Sequence, residues 1–136
     1  MGTQRRHHLQ GQGTTYDGED STAAVVNNGL ATITSRLIGT ATAVPHHVGW
    51  GTGSGAVAVT NTTLTEPGEA RTLGTGTQAT TTYTNDTHRV TGTIVATATR
   101  AITEAGLWTD ATAGTLYCRG LLAATINLTT GDQVAF

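Results

Sequence analysis

The stretch at residues 88–100, HRVTGTIVATATR, alternates in side-chain character from end to end. His88, Val90, Gly92, Ile94, Ala96 and Ala98 fall on one side, and Arg89, Thr91, Thr93, Val95, Thr97 and Thr99 on the other. Successive side chains of an extended strand point to opposite faces, so period two over this length predicts a half-buried strand with an outer face of threonine. About a quarter of the chain is threonine, a β-branched residue that favours strands and tolerates water on one side of a sheet. A chain so rich in threonine and glycine and so poor in charge could bury too little to fold. Here, however, the threonines alternate with Val, Ile, Leu and Ala, and only two prolines interrupt. The pattern predicts an all-β domain.

The remaining segments fit that class. Residues 69–83 form a polar, alternating stretch after the turn pair Pro67-Gly68, and TNDT at 84–87 is a turn, so 69–83 and 88–100 should pair as a long hairpin. Residues 48–51 read as a short strand. AITEAGLW and TLYCRGLL read as strands joined by TDATAG, and ATINL and QVAF as strands joined by TTGD. Short strands at such spacing indicate a jelly-roll-like β-sandwich or barrel. One helix is predicted near 27–38, where Val26, Leu30, Ile33 and Leu37 form a stripe at spacings of 4, 3 and 4. Asn27 or Asn28 would cap its start and Gly39 would end it. Residues 1–20 are polar and without period and read as an extended N-terminal arm, leaving 21–136 as the single β domain of this 136-residue chain.

Composition removes several chemistries. The formal net charge is −2, which argues against a nucleic-acid partner. All seven basic residues are arginine, so there is no lysine for a Schiff base or a phosphate loop. The glycine run in HVGWGTGSGA is spaced strictly by two and is followed by AVAVTNT, which is no amphipathic helix; neither nucleotide fingerprint is matched, and the glycines read as backbone punctuation of a β-structure. The pairs His7-His8 and His46-His47 cannot converge on one metal along a strand, and no zinc spacing is present. No serine stands in G-x-S-x-G. The single Cys118 rules out an intramolecular disulfide and reads as a small strand hydrophobe. No apolar run has the length of a membrane span, and MGTQRRHHLQ lacks a signal peptide's hydrophobic segment, so a soluble protein not exported by the usual route is expected. Neither cofactor, metal nor small-molecule substrate is expected, and Asp86 and Asp132 read as turn residues.

Two groups remain. Glu104 shares a strand side with Ile102, Gly106 and Trp108, where a carboxylate would be half buried; pairing with an arginine is the favoured reading over a catalytic acid. On the arm, Arg5, Arg6, His7 and His8 form a basic tip, and Leu9 and Tyr16 are its sizeable apolar anchors, a composition suited to lying on a partner.

Three segments taken together, VVNNGLATITSRLIG, HHVGWGTGSGAVAVTNTTL and AITEAGLWTDATAGTLYCRGLL…LTTGDQVAF, resemble a group of small tailed-bacteriophage structural proteins. The resemblance covers about residues 24–136. It implies a jelly-roll-like virion protein, made in the host cytoplasm, that decorates (cements) the capsid by binding the major capsid protein. By the same likeness Gly49, Trp50, Gly51, Gly53, Glu104, Gly106, Trp108, Leu116 and Arg119 are scaffold residues, and no catalytic residue is carried over. Relatives commonly continue past the final Gly-Asp strand, so the last strand here should be short or completed by a neighbour. A closed homo-oligomer is expected, a trimer before a dimer. The alternative is a tail-tip or fibre module that recognises a host-surface glycan.

Overall fold

The computed structural model describes residues 9–11, 14–16 and 23–136. In chain order the elements are β1 (Leu9–Gly11), β2 (Thr14–Tyr16), β3 (Ala23–Val25), α1 (Asn27–Leu37), β4 (His47–Gly51) and β5 (Thr72–Leu73). There follow β6 (Thr75–Ala79), β7 (Thr87–Thr91), β8 (Thr93–Val95), β9 (Arg100–Trp108), β10 (Leu116–Leu128) and β11 (Gln133–Ala135). All pairings are antiparallel. They form a five-stranded sheet in the order β3-β10-β9-β4-β5, a four-stranded sheet β2-β1-β11-β8 and a ribbon β6-β7. The fold is all-β with one short helix.

The two larger sheets share an apolar core. Val48 and Trp50 of β4, Ile102 of β9 and Leu128 of β10 meet Ile94 of β8 and Val134 of β11, with Ala96 between them. Phe136 sets its ring edgewise against Trp50 at 6.4 Å. The chain crosses between the sheets at β8–β9 and again at β10–β11. The two crossings are tied together: Ala96 N–H donates to the Asp132 carbonyl and Gly131 N–H to the Ala96 carbonyl, each at 2.8 Å. The TTGD turn is closed by the Asp132 carboxylate, which accepts from the Thr129 amide and hydroxyl.

The stretch at 88–100 keeps its period-two burial but is not one strand. Ile94 and Ala96 are buried and Thr91, Thr93, Val95, Thr97 and Thr99 exposed, yet the stretch divides at Gly92 between β7, in the ribbon, and β8, in the four-stranded sheet. His88, expected on the inner side, is exposed. Alternation reports which way side chains point, not which neighbour supplies the hydrogen bonds. For the same reason the predicted partner at 69–83 contributes only β5 and β6, and the hairpin is the short one, β6 to β7. Conversely, TLYCRGLL and ATINL, read as separate strands, run on as β10, whose pairing with β9 shifts register between Leu121 and Ile126.

The helix forms where the spacing predicts and stops before Gly39 as expected, with corrections to its N-cap and to the face it packs. Neither asparagine caps it: Val26 is the N-cap, and the Asn27 amide donates to the carbonyl of Val59 at 2.8 Å. Gly39, at φ +82°, follows the C-cap Ile38. Gly29 is buried because a Cβ there would stand 2.1 Å from the Tyr117 carbonyl, so the helix rests on β10 through its first turn. The apolar stripe does not follow it inward; beyond buried Val26, Leu30, Ile33 and Leu37 remain exposed.

The described parts of the N-terminal arm are two short strands. β1 pairs with β11 and β2 with β1, so the arm contributes strands to the chain's own sheet beside the short last strand. Arg5, Arg6, His7 and His8 lie outside the described residues.

Candidate functional site

The glycine motif and the buried glutamate prove to be one site. In the β4–β9 register, Gly51 stands opposite Glu104, Gly49 opposite Gly106, and His47 opposite Trp108. Directly opposed residues share a face, so this side of the sheet carries His47, Gly49 and Gly51 on one strand and Trp108, Gly106 and Glu104 on the other. Cβ atoms at Gly51 and Gly53 would meet the Glu104 Oε1 at 2.3 and 2.6 Å. Two glycines are needed because a carboxylate packs flat against the strand end. The run clears space for an acid of the same chain.

Glu104 is 1% exposed and Arg119, across the sheet on β10, 5%. Arg119 Nε donates to Glu104 Oε2 at 2.7 Å. The other carboxylate oxygen accepts from the amides of Gly53 (3.1 Å) and Thr65 (2.7 Å). The guanidinium donates onward to the carbonyls of Ala56 and Gly55 and to Asn61 Oδ1. All five of these partners belong to the irregular segment 52–66 that covers the sheet. Both carboxylate oxygens are occupied and neither faces an opening. A buried pair with its hydrogen bonds met anchors the segment that covers it.

Sequence reasoning did not single out two further ion pairs, one against Trp108 on the same face and one at Trp50 on the other. Arg71 grips Glu66 with Nε at 2.8 Å and Nη2 at 2.9 Å, and its guanidinium lies over the Trp108 ring at 3.4 Å. Its Nη1 donates to the carbonyls of Asp110 and Ala113. Glu69 accepts from Arg100 Nε, from the Thr97 amide and hydroxyl, and at 3.4 Å from the Trp50 indole. Burial raises the Glu69 pKa, but the Thr97 and Arg100 hydrogen bonds outweigh it and hold the carboxyl at about 2. All three glutamates among the described residues are thus bound to arginine. The available signal was the cluster E-P-G-E-A-R at 66–71, dense in charge within a chain only 12% charged.

One shallow depression opens elsewhere, about 380 Å³, lined by His46, Gln78, Asn85, Asp86, Thr87 and His88 where the ribbon meets the chain before β4. The His46 and His88 rings stand 5.9 Å apart. Partial desolvation, then the neighbouring His46, lowers the His88 pKa. Asp86 is engaged by its own turn: its carboxylate accepts from the amides of Thr81, Thr82 and Tyr83, which holds its pKa far below the usual range. Among the described residues no three His, Cys, Asp or Glu side chains gather to hold a metal, and no helix is long and apolar enough to cross a membrane.

No family model matches the chain, and no curated protein or solved structure matches it either.

Proposed function

We propose that this chain is a structural protein of a bacteriophage virion, a jelly-roll-like decoration protein that binds the outer surface of the major capsid protein lattice and stabilises the head. The observation that carries the reading is where charge and apolar surface lie. The buried charges, Glu104 and Arg119, are used to fasten backbone, whereas an apolar helix stripe and threonine-faced strands are turned to solvent. That distribution suits a rigid block that gains avidity from many copies on a lattice. The resemblance of the three sequence segments names the lattice. The chain works without cofactor, at the capsid surface, and its basic tip at Arg5, Arg6, His7 and His8 lies against capsid protein.

The test is binding to heads stripped of their decoration. Purified chain should co-sediment with such heads at saturating stoichiometry and raise their resistance to heat, and deletion of residues 2–20 should weaken that binding. Chain found only on tails in virion micrographs would overturn the proposal. A second reading, a tail-tip module for a host glycan, draws on the polar depression beside the ribbon and the exposed Tyr83 at its tip; a glycan array discriminates, since the decoration reading expects no hits.

A further inference from the structure

Helix α1 turns its apolar residues the wrong way for a monomer. Leu30 is 51% exposed, Ile33 36%, Leu37 82% and Ile38 75%. A helix on the surface of a domain ordinarily points such a stripe at the core. Here the helix is attached through Gly29, and the stripe is rotated away from β10. The four side chains make a patch of ~400 Å², within the ~300–600 Å² of the largest apolar patch on a typical monomer, a patch that is often functional.

The chain's own N-terminal segment has nothing to lay on it. Residues 17–22, DGEDST, carry no apolar side chain, residues 1–8 only Met1, and β1 and β2 belong to the other sheet. The helix has no acidic residue, and its one charge, Arg36, stands about 120° around the axis from Leu30, about 100° from Leu37 and about 60° from Ile33, at the border of the face. With a single charge at its border, the face offers no charge cluster to an oppositely charged partner. Its pattern is also symmetric. Read in either direction, Leu30-x-x-Ile33-Thr34-x-x-Leu37 places a leucine three residues from each member of a central pair. A two-fold axis through Ile33 and Thr34 sets Leu30 of one copy against Leu37 of the other. This self-matching is what an isologous interface requires. Two such faces bury ~800 Å², and the flanking Asn27, Ala31 and the exposed Val59 beside the helix start bring the total toward the ~1,200 Å² at which specific interfaces begin.

We infer that α1 is the dimerisation element of this protein, packing antiparallel against α1 of a second copy about a two-fold axis. The contact is two-fold, so it makes a dimer where sequence reasoning placed a trimer first. It does not depend on the capsid reading, because it concerns the purified chain alone.

Sedimentation equilibrium of the full chain, from about 1 to 200 μM, is the test. Wild type should reach a dimer in that range. Leu30→Glu and Leu37→Lys, both at exposed positions, should each weaken dimerisation at least about tenfold while circular dichroism and the melting temperature stay put. The double variant should dimerise again where each single is monomeric, because Glu at 30 then faces Lys at 37 of the other copy and no longer an apolar side chain. A wild type that stays monomeric to 200 μM, a dimer indifferent to both single variants, or a double variant without recovery would each overturn the inference. A face that becomes protected only on adding capsids would overturn it too.

Discussion

The two faces of the five-stranded sheet are built on opposite principles. One carries Val48 and Trp50 and packs on β8 and β11 through aliphatic and aromatic side chains. The other carries Gly49, Gly51, Glu104 and Trp108, and holds one buried ion pair, one half-buried ion pair and a cation–π contact beside a small cluster of Val26, Leu64, Trp108 and Leu116. The difference follows from what covers each face. A second sheet arrives with its backbone hydrogen bonds already satisfied, so only side chains need to fit. The segment 52–66 arrives irregular, with amides and carbonyls that need partners once water is excluded. Glu104 accepts from two of those amides and Arg119 donates to two of those carbonyls. Buried charge here is the means of tying a loop to a sheet.

The sharpest way to break the comparison is to remove one charge. Glu104→Ala or Arg119→Ala should each lower stability by about 3–5 kcal/mol in denaturant unfolding, since the partner is left buried and alone. The double change Glu104→Leu with Arg119→Met should cost less than the sum of the single losses. Losses under about 1 kcal/mol would place the pair outside the protein's main supports.

The glycines come next. Gly51→Ala forces a methyl into the Glu104 carboxylate and should cost about 2 kcal/mol, whereas Gly55→Ala, with nothing within 4 Å of the new Cβ, should stay within about 0.5 kcal/mol. Equal effects would return the run to ordinary punctuation. On the same face, Arg71→Lys should cost about 1 kcal/mol, because an ammonium cannot grip Glu66 with two nitrogens and lie flat on Trp108.

The smallest effect is on pH. Glu69 titrates at about 2 when folded and near 4.5 when unfolded, so the unfolded chain takes up protons first as pH falls. Its contribution is complete above about pH 5 and is lost progressively toward pH 2; Asp86 and Asp132, also lowered, act in the same direction. The lowered His88 works with the same sign but earlier, its contribution present above the ordinary value of 6.5 and fading below it. Glu69→Gln should flatten the acid limb of the stability curve measured from pH 5 to 2. An unchanged limb would remove Glu69 from the set of ties.

Much of this was legible in the chain. The alternation gave the burial phase correctly from Val90 to Ala98, though not at His88; the stripe at 26–37 located the helix, and Asp86 and Asp132 are turn residues as their type suggests. Local pattern reads side-chain direction and turn chemistry well because both are set by neighbours in sequence. It could not tell that 88–100 divides between a ribbon and a sheet, since pairing partners lie far away, nor that the helix stripe would face out, since only Gly29 against Tyr117 reveals which side touches β10. The pairing of Glu104 with an arginine was the favoured reading, but its tie to Gly53 and Thr65 depends on tertiary proximity across 51 and 39 residues.

Amide hydrogen exchange followed residue by residue in the Glu104→Leu/Arg119→Met protein tests the loop-tie account most directly. With no carboxylate to accept from them, the Gly53 and Thr65 amides should lose protection by at least about 100-fold, while the Ala96 amide and the amides of β11 on the apolar side keep theirs. Gly53 and Thr65 amides that stay as protected as in the wild type would mean that the segment 52–66 is held by something other than buried charge, and the central claim would fail.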